Sequence, residues 1–329
     1  MIFAAVLIVC AVFAAVYWPG VAGRMAYAHA AAAREVVGES RQLEIGGANI
    51  TVNIAAGRTD LPRPRLFAWV TRAGRAVAMY FAGFPVSRAI VNVRAAPGRD
   101  GIFSGFTFFP DSGTLTTRIA VGEHTTEEAL ADDWMMTHEL VHMGFPAMAD
   151  EHHWIEEGIA TYVEPIARAQ DGQINVESVW QQLVEGLPNG EPEPGDRGLD
   201  HTHTWGRTYW GGALYCLMAD VGIRQATENR LGLEDALRGI VAAGGTMEHE
   251  WTIERALGVG DKATGTTVMM GLYEKMKAAP APVDLDALWR ELGVVANGSR
   301  ISFRDDAPLA AIRKAITEPP RAKLAPAKP

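Results

Sequence analysis

The chain has 329 residues, 48% of them hydrophobic and 21% charged, which excludes a disordered or collagen-like polymer. A formal net charge of −9, with no basic block outside the tail, argues against nucleic acid as a partner. Only Cys10 and Cys216 are available for sulfur chemistry, so a disulfide framework is excluded and any metal must be held by histidines and carboxylates.

Residues 1–30 read as a signal peptide or a membrane anchor. Nothing from Ile2 to Trp18 is charged, and the first charge is Arg24. Ala28-His29-Ala30 offers a cleavage site, whereas the usual positive leader is missing, so signal and anchor both stay open. Either one implies an exported or membrane-attached protein that faces out. Residues 31–145 form a β-rich region. Alternating polarity on both sides of Gly46-Gly47 predicts a hairpin over 42–54. Pro62 and Pro64 open a helix whose apolar residues, from Leu66 to Phe81, recur at helical spacing, and Gly83-Phe84-Pro85 ends it. Strands follow at 89–94, 102–109 and 114–121, divided by Pro-Gly and Asp-Ser-Gly turns. Thr125 with Glu128 has capping-box spacing and predicts one helix running to about Met143. Residues 146–318 are mainly helical, and 319–329, rich in Pro, Ala and Lys, predict a disordered tail. Strands first and helices later make the fold α+β.

Within the capped helix lies His138-Glu139-Leu140-Val141-His142. Residues i and i+4 share a helix face, so both imidazoles can reach one zinc ion. Glu139 stands about 100° round the helix, beside the metal, where a carboxylate can take a proton from water. Two surface histidines would be the plain structural alternative. The apolar neighbours Trp134, Met135, Leu140, Val141 and Phe145 speak against it, because buried histidines need partners. The third ligand is not a downstream histidine of the astacin type, since Phe145 and Met148 occupy the required positions.

The next segment is Trp154-Ile155-Glu156-Glu157-Gly158-Ile159-Ala160-Thr161-Tyr162-Val163-Glu164. HExxH followed by W-x-x-E-G-x-A-x-Y-x-E resembles the glutamate-zincin peptidases, the group of thermolysin, aminopeptidase N and the glycyl aminopeptidases. The resemblance covers roughly residues 60 to 245. It implies that Glu157 is the third zinc ligand, that Gly158 lets helices approach closely, and that Glu164 is an acid behind a ligand histidine. Tyr209-Trp210-Gly211-Gly212 resembles the Tyr-x-x-Gly segment of the aminopeptidase branch, whose tyrosine stabilises the oxyanion. The implied activity is zinc-dependent hydrolysis of a peptide or protein substrate.

Two features depart from that pattern. Fourteen residues separate His142 from Glu157, so the connection must be short. The Gly-x-Met-Glu-Asn element that grips a free amino terminus is absent. Its expected equivalent, Gly113-Thr114-Leu115-Thr116-Thr117, carries no acid. An extended substrate is expected to pair with strand 114–121, and N-acetylated peptides to be cut as well as free ones. His152 and His153 could compete with Glu157 for the metal, and His201 and His203 could put a proton donor at the cleft; solvated loop histidines are the plain reading of all four. Glu156 points about 100° away from Glu157, so only one of the two can bind. Two other classes stay open: a zinc hydrolase for a non-peptide amide or small substrate, and a non-catalytic metal-binding protein. Glu139 argues against the second, since a structural site needs no general base.

Overall fold

The computed structural model describes residues 36–298 and 300–319. The proposed signal or anchor over 1–30 therefore lies outside the described residues, as does the tail beyond residue 319. Among the described residues no helix is long and apolar enough to cross a membrane.

The β-rich region forms one mixed sheet. β1 (Val37–Ile45) and β2 (Ala48–Ala55) make the expected hairpin around Gly46-Gly47, both with positive φ. Such a turn favours glycine, which has no Cβ to clash. Helix α1 (Arg63–Phe81) crosses over to β3 (Arg88–Ala96), parallel to β2. β4 (Ile102–Phe108) and β5 (Thr116–Gly122) follow, giving the order β1-β2-β3-β5-β4. One face of the sheet, with Ile50, Val52, Ile54, Val91, Val93, Thr117 and Ile119, is buried against the helices. The other face carries a polar ladder in which Ser40 donates to Asn53 and Asn53 to Asn92.

This order corrects one expectation. β5, the strand expected to pair with substrate, lies between β3 and β4 and has both edges filled. The sheet's edge strands are β1 and β4, and the edge next to β5 belongs to β4, which also carries no acidic residue.

The metal-motif helix is also not the single helix expected. Thr126, not Thr125, caps α2 (Glu127–Asp132) by accepting from Ala129 N, while Thr125 is buried and donates to Gly101 and Gly122 carbonyls. The chain then breaks at Asp133. Its carboxylate accepts the backbone N–H groups of Met135 and Met136 and the indole N–H of Trp69, so it caps a new helix, α3 (Met135–Val141). Capping by a buried carboxylate satisfies amides that would otherwise be orphaned, and it re-aims the HExxH turn relative to α2. Burial pushes the Asp133 carboxyl up, against the pull of those three hydrogen bonds.

The helical part, α4 to α11, completes the molecule: α4 (His153–Gln170), α5 (Val176–Gly186), α6 (Gly212–Ala226), α7 (Leu233–Ala242), α8 (Ile253–Thr264), α9 (Val268–Met276), α10 (Leu285–Leu292) and α11 (Ala310–Thr317). A small hairpin, β6 (Val294–Asn297) with β7 (Arg300–Phe303), precedes α11. α4 runs through the core, with Trp154, Ile155, Ile159, Tyr162 and Val163 all buried. The close approach at Gly158 is made to α6: a Cβ there would lie 2.3 Å from the carbonyl carbon of Gly212. No side chain fits such a crossing.

Candidate active site

Three elements deliver the site. α3 presents His138 and Glu139, the 3₁₀ turn His142–Gly144 presents His142, and α4, just past its first turn, presents Glu157. His138 Nε2 lies 3.2 Å and His142 Nε2 3.7 Å from the same oxygen, Glu157 Oε2. The three donor atoms lie within 4.8 Å of one another. The two rings stand nearly perpendicular, with centroids 5.0 Å apart, as the i, i+4 spacing dictates. Two imidazole nitrogens and a carboxylate oxygen facing one point are a donor set suited to zinc with further positions left open.

Electrostatics follow from burial. Burial opposes ionisation of Glu157, yet the His142, His138 and His153 imidazoles hold its carboxyl well below the usual range. Burial likewise opposes charging of His138, and Glu157 overrides it, so the His138 pKa is raised. Glu139 is pushed up to about 7 by burial, with His138 pulling it down and Glu157 adding to the rise. A cation at the site would draw it down again.

Glu139 is held from the sheet. Alternate residues of edge strand β4 point at α3, and Gly105 and Thr107 are two of them. A Cβ at Gly105 would lie 2.9 Å from Glu139 Cγ, so the missing side chain makes room for the carboxylate arm. Thr107 Oγ1 donates to the Glu139 carbonyl at 2.8 Å and to Oε2 at 3.0 Å. Thr117 Oγ1, 2.8 Å away on β5, can donate to Thr107 and leave the single Thr107 proton for Glu139. The sequence reading named neither Thr107 nor Gly105. The signal was there only as period-two alternation, which became informative once β4 was known to be the strand beside α3.

Tyr209 lies in a π-helical turn, Gly206–Gly211, that leads into α6, the sort of widened turn often found at functional sites. Its ring is stacked on that of His138 at 6.5 Å between centroids, with 22° between planes. The turn is seated by Trp210, whose ring leaves no space for a Cβ at Gly186 (2.1 Å).

The remaining histidines separate. His153 opens α4 and lies 3.2 Å from Glu157 Oε1 through Nε2 and 3.1 Å from Glu156 Oε2 through Nδ1. Glu156 also accepts from Met148 N, so it braces the short connection and stays off the convergent point. His152 turns away to Asp200. His201 and His203 are exposed and are not part of the convergent group. The hydrogen bond of Glu164 is with Arg168, at 2.9 Å, and Arg168 also reaches the Ala131 and Asp132 carbonyls at the end of α2. Burial raises Glu164 to about 7, while Arg168 and His138 lower it.

No family model matches the sequence, and no curated protein does either. Solved structures do. The chain is similar to an aminopeptidase N family protein from Idiomarina loihiensis, with a TM-score of 0.58 over 78% of this chain and 14% identity. The likeness is one of fold, and it is consistent with the resemblance read from the sequence. This chain covers 49% of the Idiomarina protein's length, about half. An M1 zinc metallopeptidase from Deinococcus radiodurans is also similar, with a TM-score of 0.48, 18% identity, and coverage of 76% of this chain and 54% of that one. The α+β, zincin-like order expected from the sequence, a mixed sheet followed by a mainly helical part, is the one observed.

Proposed function

We propose that this protein is a zinc-dependent peptidase, with His138, His142 and Glu157 holding the metal. The observation that carries the reading is the convergence of His138 Nε2, His142 Nε2 and Glu157 Oε2, with a buried, threonine-tethered Glu139 beside it. Zinc in such a set polarises a carbonyl and makes water nucleophilic near neutral pH. Glu139 takes the proton from the attacking water, since its place beside the ligands leaves the carboxylate free of the metal. Burial raises the Glu139 pKa and a cation beside it lowers it, opposing influences on a group that must accept a proton and then release it to the leaving amine. Tyr209, stacked on His138, donates its phenolic proton as a hydrogen bond to the oxyanion. The unpaired edge of β4, the strand that holds Glu139 through Thr107, offers main-chain groups along which an extended peptide can lie.

Glu139→Gln tests the reading. The variant should bind zinc at wild-type stoichiometry and lose peptide hydrolysis by roughly 10²- to 10⁴-fold or more, the scale of a lost general base. A Glu139→Gln protein that still hydrolyses peptides at the wild-type rate would falsify the assignment of the base.

A further inference from the structure

We infer that the cleft selects peptides carrying an aromatic or other large flat side chain next to the scissile bond, received by Trp134 and Trp205. The inference rests on the peptidase reading above and adds the class of substrate.

Large hydrophobic side chains left exposed are few among the described residues, and two of them are these tryptophans, 49% and 40% exposed. The chain buries tryptophan readily elsewhere: Trp69, Trp154 and Trp180 are all inside. Each exposed indole stands four residues, one helical turn, before a site residue and shares its face. Trp134 meets His138 edge-on at 5.6 Å between centroids, and Trp205 stacks on Tyr209 at 6.3 Å with 29° between planes. His138 and Tyr209 are themselves stacked. Trp134, His138, Tyr209 and Trp205 therefore form one line of rings, with the reacting groups in the middle and a half-exposed indole at each end. A peptide whose scissile bond lies over the middle pair must run its flanking side chains past an indole. Flat aromatic groups gain most from such a surface, through area and through stacking or edge-to-face contact.

Binding to the zinc-loaded Glu139→Gln protein separates recognition from turnover. Matched peptides should carry Phe or Ala on either side of one bond. The Phe peptide should bind roughly 10-fold more tightly than the Ala peptide. Trp134→Ala and Trp205→Ala should each cut the Phe-to-Ala ratio about 3- to 10-fold, the scale of one lost aromatic pair, with zinc content unchanged. Trp→Phe at either position should restore most of the ratio. Equal affinity for Phe and Ala peptides, or a preference that survives in the double alanine variant, would overturn the proposal. The two readings fail differently. Tight, tryptophan-dependent binding of Phe peptides by a wild type that cleaves none would remove the peptidase reading. Cleavage without side-chain preference would remove the tryptophan rim.

Discussion

His152 and His153 are neighbours in sequence and end in two buried clusters of opposite character. His153 joins the site, where it, His138 and His142 all aim a ring nitrogen at the single carboxylate of Glu157. His152 joins Asp200, whose Oδ1 accepts from His152 and from the Trp154 indole, and whose Oδ2 accepts from the Tyr273 hydroxyl. Both are carboxylate–histidine arrangements, and both pull their acid down against burial. They differ in the donors. An indole N–H and a phenol O–H at neutral pH carry covalent protons that nothing displaces, so the Asp200 cluster is complete as it stands. Imidazole nitrogens exchange their protons for a metal, and three of them around one carboxylate make a group that a cation can reorganise. Donor chemistry, more than the count of histidines and acids, separates a latch from a metal site.

The largest expected effect comes from breaking the exchangeable cluster. His142→Ala or Glu157→Gln should abolish metal binding and hydrolysis together, exceeding the roughly 10- to 100-fold loss typical of removing a group behind a ligand. Metal content by elemental analysis and peptide turnover read both. Full zinc occupancy in Glu157→Gln would pass the third ligand to His153, whose ring also lies against Glu157.

Breaking the fixed cluster should do the reverse. Asp200→Ala leaves the buried Trp154 N–H and the Tyr273 O–H without an acceptor, at a cost of about 2–4 kcal/mol in stability. Urea denaturation of the zinc-loaded protein should show that loss, with one metal per chain retained. If Asp200→Ala loses its metal at a stability equal to wild type, the two clusters are one functional unit and the contrast fails.

Much of this architecture was legible in the sequence because its signals are local. The β1–β2 hairpin announces itself through Gly46-Gly47, α1 through its periodicity, and the approach of His138 to His142 through i, i+4 spacing. What was not legible depends on partners distant in the chain. Asp133 breaks the metal-motif helix because Trp69, 64 residues away, helps to bury its carboxylate. The sequence order of β4 and β5 does not reveal that β5 is inserted between β3 and β4, so the strand expected to pair with substrate has no free edge. Thr107 became visible as a tether for Glu139 only with that order in hand. Similarly, nothing in His152-His153 says which ring turns inward, since the answer lies in Asp200 and Tyr273, 48 and 121 positions downstream of His152.

The smallest expected effect is the latch's share of the pH dependence of stability. Burial opposes charging of His152, but its hydrogen bond and charge interaction with Asp200 raise its pKa above the ordinary 6.5, helped by Glu151 and Glu254. The folded state therefore favours the imidazolium. Its contribution to stability is fully present below 6.5 and fades as pH rises through the higher folded value. Asp200 works in the other direction: its pKa is lowered, so its share is present above the ordinary 3.8 and is lost only in stronger acid. The pair is strongest between those limits, and the accessible test lies on the alkaline side. In zinc-loaded protein, where the ligand histidines are held by metal, the urea midpoint should fall as pH goes from about 6 to about 8. His152→Gln should make that slope shallower, because glutamine can still donate to Asp200 but carries no charge to lose. The Asp200→Ala protein should likewise show a shallower profile at lower overall stability, since it removes the largest of the charges that His152 senses. A slope in His152→Gln as steep as in wild type would move the pH dependence out of this cluster and onto the other buried acids, of which Glu164, near 7, titrates in the same range.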